Sequence, residues 1–168
     1  VDDPIEYRMS GINQVQVNTK IDLTFARVLR SVLRQDPDIV LVGEMRDQET
    51  AEIGLRAAMT GHMVLSTLHT NDAISTVSRL MDMGAAPFLI AGSLRGIVAQ
   101  RLVRRICESC SEPHAIDPGM RAIAAAELGD ALEDMQFHRG RGCTYCNHTG
   151  YQGRIGIYEL LEIDDALA

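Results

Sequence analysis

All four cysteines of this 168-residue chain fall in two pairs of equal gap, Cys107-x-x-Cys110 and Cys143-x-x-Cys146. A two-residue gap lets both sulfurs of a pair face one tetrahedral ion, and two such knuckles supply four thiolates with no coordination position left open. A site of that kind is structural, and it requires two segments far apart in sequence to meet. Disulfides are the second reading. They fit poorly with an α/β pattern and with the opening VDDPIEY, which has no apolar leader segment. A redox-active CxxC is the third. Two pairs with no cysteine left over favour Zn²⁺. His114 and His148 lie nearby as substitute ligands, although four cysteines suffice.

The region before the cysteines alternates between short apolar runs and helical periods. Phe25, Leu29, Val32 and Leu33 predict one apolar face of a helix over 23–34, with Arg27, Arg30 and Arg34 on the other. Asp36-Pro37-Asp38 stops it. Ile39-Val40-Leu41-Val42 is continuous and aliphatic, the pattern of a parallel strand buried on both faces. A helix is expected over 48–59, ended by Thr60-Gly61, and a second buried strand begins at Met63-Val64-Leu65. Asp72 is placed to cap a third helix with Ile74, Val77, Leu80 and Met81 inside, closed by Gly84. Pro87 opens a fourth, reaching about Ala99. This alternation predicts an α/β layer with a parallel sheet.

After Gln100 the character changes, and a boundary is expected near Leu102. It separates residues 1–101, the α/β part, from residues 102–168, a cysteine-bearing and C-terminal subdomain. Pro118 to Asp134 is acidic and Ala-rich and predicts a helix. Arg154 to Leu161 predicts a strand.

Three polar clusters lie at the carboxyl ends of expected strands: Asp2-Asp3 with Glu6, Gly43-Glu44, and Ser66-Thr67 with His69. Ligands bind at that edge of an open parallel sheet. An acid after a buried strand can hold Mg²⁺ through water or polarise an attacking water. Taken singly, each is equally well a cap or a loop residue; three in consecutive strand–helix units point to a site. His62, at a strand start, reads first as structural and second as catalytic or cofactor-binding. The arginine face reads either as solvated surface or as a source of phosphate contacts from Arg30 and Arg34.

Arg101, Arg104 and Arg105 beside the first knuckle raise an alternative: a zinc-ribbon binding or assembly module without enzymatic activity. A net charge of -7, with Lys20 the only lysine, argues against nucleic acid as the partner. No run of apolar residues is long enough for a transmembrane helix.

Taken together, VDDPIEY, RQDPDIVLVGEMRD, TGHMVLSTLHTNDA, CESC, CTYC and GYQGRIGIYELL resemble the secretion ATPase family of type II secretion and type IV pili. VDDPIEY is similar to its Asp box, the second segment to its Walker B region and the third to its His box. The resemblance covers essentially the whole chain. The zinc element resembles that of extension and secretion motors rather than retraction motors, and the VDD and GEMRD wording is most similar to extension ATPases of mannose-sensitive haemagglutinin pili.

The resemblance implies the C-terminal portion of a RecA-like P-loop NTPase domain with an inserted tetra-cysteine zinc subdomain. It implies ATP and Mg²⁺ as ligands, with Glu44 as the Walker B acid, Asp2, Asp3 and Glu6 as Asp-box acids, and His69 near the γ-phosphate. It also implies that Arg30 and Arg34 sense nucleotide. The family more often carries Glu where this chain has Asp2. A homohexamer is expected at the cytoplasmic face of a bacterial inner membrane. Its expected partners are a platform protein, through which it associates peripherally with the membrane, and other assembly components. No G-x-x-x-x-G-K-[ST] loop occurs. Val1 is therefore expected to mark a cut inside a larger protein, between that loop and the Asp box, leaving a piece inactive by itself.

Overall fold

The computed structural model describes residues 1–164. The chain divides into two compact units. One comprises Val1–Ala99 together with the described residues from Tyr158, and the other Gln100–Ile157.

In the first unit, α1 spans Phe25–Val32, and its first turn is capped by Thr24, which accepts from the Arg27 N–H. Phe25, Ala26, Val28 and Leu29 are buried, whereas Val32 and Leu33 are only half-buried. The apolar face is thus shifted towards Ala26 and Val28, because the last turn tightens to a 3₁₀ turn over Leu33–Gln35. β1 (Ile39–Val42) follows, then α2 (Gln48–Met59), β2 (Met63–Ser66), α3 (Ile74–Asp82) and α4 (Pro87–Ser93). β1 and β2 pair in parallel, with Ile39 opposite Met63 and Val42 opposite Ser66.

Val40 and Val42 pack with Val17, Phe25 and Leu29. A second cluster joins Met45, Ala51, Leu55, Leu80, Leu89 and Ile90. Full burial of Leu29 or Leu89 contributes roughly 1.5–3 kcal/mol each before entropy is counted. The strands are not buried on both faces: Ile39 is 62% exposed and Met63 57% exposed. Only one face of this sheet is covered among the described residues, so a continuous apolar run here gives alternating burial.

The Asp47 carboxylate caps α2 through the Thr50 N–H and hydroxyl, at 2.8 and 2.9 Å. In α3 the buried positions are Thr76 and Leu80, with Ala73 just ahead, while Ile74 and Met81 are exposed. The apolar face read from sequence is therefore rotated. Helix α4 ends at Ser93, not near Ala99. Its last turn is closed by the Ser93 hydroxyl, which donates to Leu89 O at 2.5 Å. From Gly96 the apolar run extends as β3 (Gly96–Ile106).

In the second unit, β4 (Ser111–Pro113) is followed by α5 (Pro118–Leu128), β5 (His138–Gly140) and the first part of β6 (Tyr151–Glu162). β3 pairs with β6. The unit boundary falls within both strands, and Leu102 lies inside β3. Helix α5 stops at Gly129, which takes φ +53°. β4 and β5 are antiparallel, with Ser111 opposite Gly140. That register sets Cys110, one residue before Ser111, against the segment leading to Cys143. No described helix is long and apolar enough to cross a membrane.

Candidate functional site: a closed thiolate cluster and an open acidic edge

The four cysteines converge. Their sulfurs all lie within 4.8 Å of one another, with Cys107–Cys143 and Cys110–Cys146 at 3.9 Å and Cys143–Cys146 at 3.8 Å. A tetrahedron of sulfurs about 2.3 Å from a central zinc has edges of about 3.8 Å. All four are free thiols, which removes the disulfide reading.

Backbone N–H groups support the cluster. Gly142 donates to Cys110 Sγ at 3.3 Å, Cys143 to Cys146 Sγ at 3.2 Å, and Gly150 to Cys146 Sγ at 3.3 Å. The Cys143 N–H does most to bring the Cys146 thiol down to about 6, against its burial. Desolvation pushes the Cys110 thiol up to about 11.

Glycine is required around this cluster. A Cβ on Gly140 would lie 1.9 Å from Gly150 O, and that oxygen accepts from the Cys107 N–H at 3.0 Å. His114 and His148 are not among the converging donors. Of the nearby arginines, Arg104 stacks 4.0 Å from the centroid of the Tyr151 ring, and Arg105 pairs with Glu108. These contacts engage Arg104 and Arg105, two of the arginines that raised the zinc-ribbon binding module as an alternative.

The second centre lies at the carboxyl ends of β1 and β2. The Val1 nitrogen donates to Leu41 O at 2.8 Å, and the Gly43 N–H donates back to Val1 O at 2.7 Å. Residues 1–2 therefore run alongside the end of β1. The Asp2 carboxylate covers Gly43 so closely that a Cβ there would sit 2.2 Å from Asp2 Oδ1. From the other side, the Thr67 hydroxyl donates to Gly43 O at 2.6 Å and the Met45 N–H to Thr67 O at 3.1 Å. Glu44 is held between these ties.

Its side chain is 14% exposed and pairs with Arg46 through Oε1. Oε2 is buried, lies 3.4 Å from His69 Nε2, and has no hydrogen-bond partner. The hydrogen bond from Arg46 holds the Glu44 carboxyl below its ordinary 4.5, against the opposing effect of burial, and the nearby His69 adds to the lowering. A buried carboxylate oxygen without a donor is costly unless a ligand completes it. A hydrated cation or a polarised water suits that atom chemically, so the donor set fits Mg²⁺ held through water.

Glu44, Asp2 and His69 are thus brought to one edge. Asp3 donates its N–H to Asp2 Oδ1 at 3.0 Å, and its charge acts on Arg46. Glu6 is exposed. Arg30 pairs with Glu49 at 2.6 Å, in the first turn of α2. Arg34 is exposed in the 3₁₀ turn after α1. His62 sits at the amino end of β2, where Nδ1 contacts Ala57 O at 3.1 Å and Thr60 Oγ1 at 3.3 Å. That is the C-terminal end of α2, away from Glu44. Arg46 was not singled out from sequence; its signal was an arginine two residues beyond the strand-end acid.

The type II/IV secretion system protein family matches residues 1–168. Type II secretion system protein E of Pectobacterium carotovorum subsp. carotovorum is 57% identical over 165 residues, which is 98% of this chain and 32% of that protein. Type II secretion system ATPase E of Vibrio cholerae serotype O1 is 54% identical over 167 residues, 99% of this chain and 33% of its own length. Type IV pilus assembly ATPase PilB of Thermus thermophilus is 50% identical over 168 residues, 99% of this chain and 19% of its own length. The chain therefore spans about a third of the length of the type II secretion relatives. Among solved structures, the pilus retraction motor PilT with bound ADP aligns with a TM-score of 0.63 at 33% identity, covering 99% of this chain and 38% of that one. The ATPase DotB of Legionella pneumophila shares the fold, with a TM-score of 0.61 over 98% of this chain and 36% of that one, at 24% identity.

Proposed function

The chain belongs to the type II/IV secretion system protein family, and from that premise we propose that the protein it represents hydrolyses ATP to power assembly of a secretion pseudopilus or a type IV pilus. One observation carries the reading: the buried, donor-free Oε2 of Glu44 at the strand edge, facing His69 with Asp2 beside it. Mg²⁺ and ATP, when bound, supply an electrophilic phosphoryl group with part of its charge neutralised. Glu44 then orients and polarises the attacking water through Oε2, while Arg46 keeps the carboxylate ionised and fixed. Asp2 and Asp3 shape the anionic side of the edge, with Glu6 at its margin. His69, exposed and next to Glu44, is placed to hydrogen-bond a terminal phosphate oxygen. Arg30 and Arg34 contact phosphate of this or a neighbouring subunit's nucleotide, and His62, at the amino end of β2, reaches nucleotide only if the segment moves.

The thiolate cluster holds Zn²⁺ as a closed structural site. Identities of 50–57% with type II secretion and pilus assembly proteins, against 33% with a retraction motor, support assembly over retraction. The working form is a homohexamer at the cytoplasmic face of the inner membrane, acting on a platform protein, without nucleic acid. This chain by itself, lacking a glycine–lysine phosphate loop, is inactive.

The test is Glu44→Gln in the full-length protein. Hydrolysis falls by about 100-fold or more, the scale of a lost general base, while nucleotide binding persists. Near-normal turnover in that variant overturns the reading.

A further inference from the structure

The stretch between His69 and α3 is fastened at several points. Thr70 Oγ1 and Thr76 Oγ1 lie 2.9 Å apart, and Asp72 Oδ1 accepts from the Ser75 N–H at 2.7 Å. One further tie comes from outside the stretch. The Ala73 N–H donates to Glu159 Oε2 at 3.3 Å, across 86 residues of sequence. Ala73 is fully buried, so its N–H has no ready access to water. It stands at the start of α3, where the first N–H groups find no partner within the helix. Glu159 is itself exposed, on β6, just past the point where that strand leaves the cysteine-bearing unit. A surface carboxylate that satisfies a buried donor is not explained by the solubility of its own strand.

We propose that Glu159 is a positioning residue: its carboxylate locks the start of α3 and thereby holds the His69 segment against Glu44. The inference rests on the function proposed above. His69 has little else to fix it, because its side chain is 90% exposed and meets Glu44 through Nε2 alone, at 3.4 Å. The segment is tied to the strand edge at Thr67 and to α3 at Thr70 and Asp72. With the Ala73 N–H orphaned, the start of α3 gains by fraying towards water, and the fraction of molecules with His69 in place falls.

The experiment uses the full-length protein and compares Glu159→Ala with Glu159→Gln, whose amide oxygen can still accept from Ala73. Glu159→Asp, one methylene too short, replaces the alanine variant should that one not fold. The readouts are kcat and nucleotide affinity per folded molecule, Tm, and amide exchange of the 69–76 segment. In the alanine variant kcat falls roughly tenfold, the scale of one orphaned buried donor, with nucleotide affinity unchanged and exchange in 69–76 accelerated. Glutamine restores both.

Unchanged kcat, or a drop in Tm with kcat per folded molecule intact, overturns the proposal and leaves Glu159 a stabilising contact only. Glu44→Gln is assayed alongside. If that variant stays active the proposed function has failed, whereas an inactive Glu44→Gln beside a fully active Glu159→Ala rejects the positioning role alone.

Discussion

Three backbone N–H groups point at sulfurs of the thiolate cluster, whereas the buried Oε2 of Glu44 has only His69 Nε2 near it, at 3.4 Å, and no well-formed hydrogen bond. The two centres are built for opposite ends. Around the cysteines, antiparallel β4 and β5, the Gly140–Gly150 approach and the knuckle turns leave the thiolates little choice of position. At the sheet edge, the backbone of 43–45 is tied down but the working atoms are left short of partners. A structural metal site gains from closure. On the function proposed above, the edge leaves unsatisfied polar atoms for what binds there, and it tolerates the cost because the neighbouring backbone is fixed.

The strongest way to break this contrast is to remove the metal. Chelation at neutral pH is expected to abolish folded signals from Gln100–Ile157 while those of β1, α2 and β2 remain, as read by residue-resolved NMR or hydrogen exchange. Structural zinc carries on the order of 10 kcal/mol or more of apparent binding energy, larger than the stability of a small unit. A cysteine unit that stays folded without metal denies the closed-site half of the comparison. Beyond the three buried cysteines and half-buried Cys143 this unit has little core: among the described residues α5 has no buried residue, and Leu132 is the buried hydrophobic outside the cysteines.

A smaller effect comes from Gly140→Ala. The new methyl would meet Gly150 O, whose displacement disturbs both the Cys107 N–H bond and the Gly150 N–H bond to Cys146. We expect a loss of about 1–3 kcal/mol from overpacking, and metal affinity lower by roughly 10- to 100-fold. Competition with a zinc dye measures the second. Wild-type affinity in this variant would mean that the backbone around the cluster yields more easily than its contacts indicate.

The two centres also differ in how far sequence exposes them. The paired cysteines were readable at once, because metal geometry converts a spacing into a contact. Glu44 and His69 were readable as strand-end residues. The bounds of β1 and α2 follow from local chemistry: the Asp47 cap, the Thr60-Gly61 stop, and an aliphatic run closed by Gly43. What stayed hidden was set by partners distant in sequence. The exposure of Ile39 and Met63 depends on what covers the sheet, not on the strand's own residues. The rotation of α3 places Thr76 inside because Thr70 meets it there. Leu94 to Ala99 is a short apolar run that suits either period, and the pairing of β3 with β6 decides it for strand. The engagement of Arg30 with Glu49 and of Arg46 with Glu44 needed coordinates as well.

The finest test of the open edge uses pH, in the absence of nucleotide and divalent cation. Because Arg46 and His69 hold the folded Glu44 carboxyl below its ordinary 4.5, the unfolded chain binds its proton first. Glu44 therefore adds stability that is fully present above about pH 4.5 and is lost as pH falls through the folded value. In Arg46→Met the largest lowering influence is gone, burial is left to push upwards, and Glu44 takes its proton at higher pH. The Tm of the variant should accordingly match wild type more closely in acid than at neutral pH, with the gap opening as pH rises through the mid-4 range. Arg46 is 59% exposed, so the gap is small and shrinks further in salt. Identical pH profiles would mean that Arg46 does not hold Glu44 in solution. The carboxylate would then have two free oxygens instead of one, and the edge would be still more open than the contrast with the thiolate cluster requires.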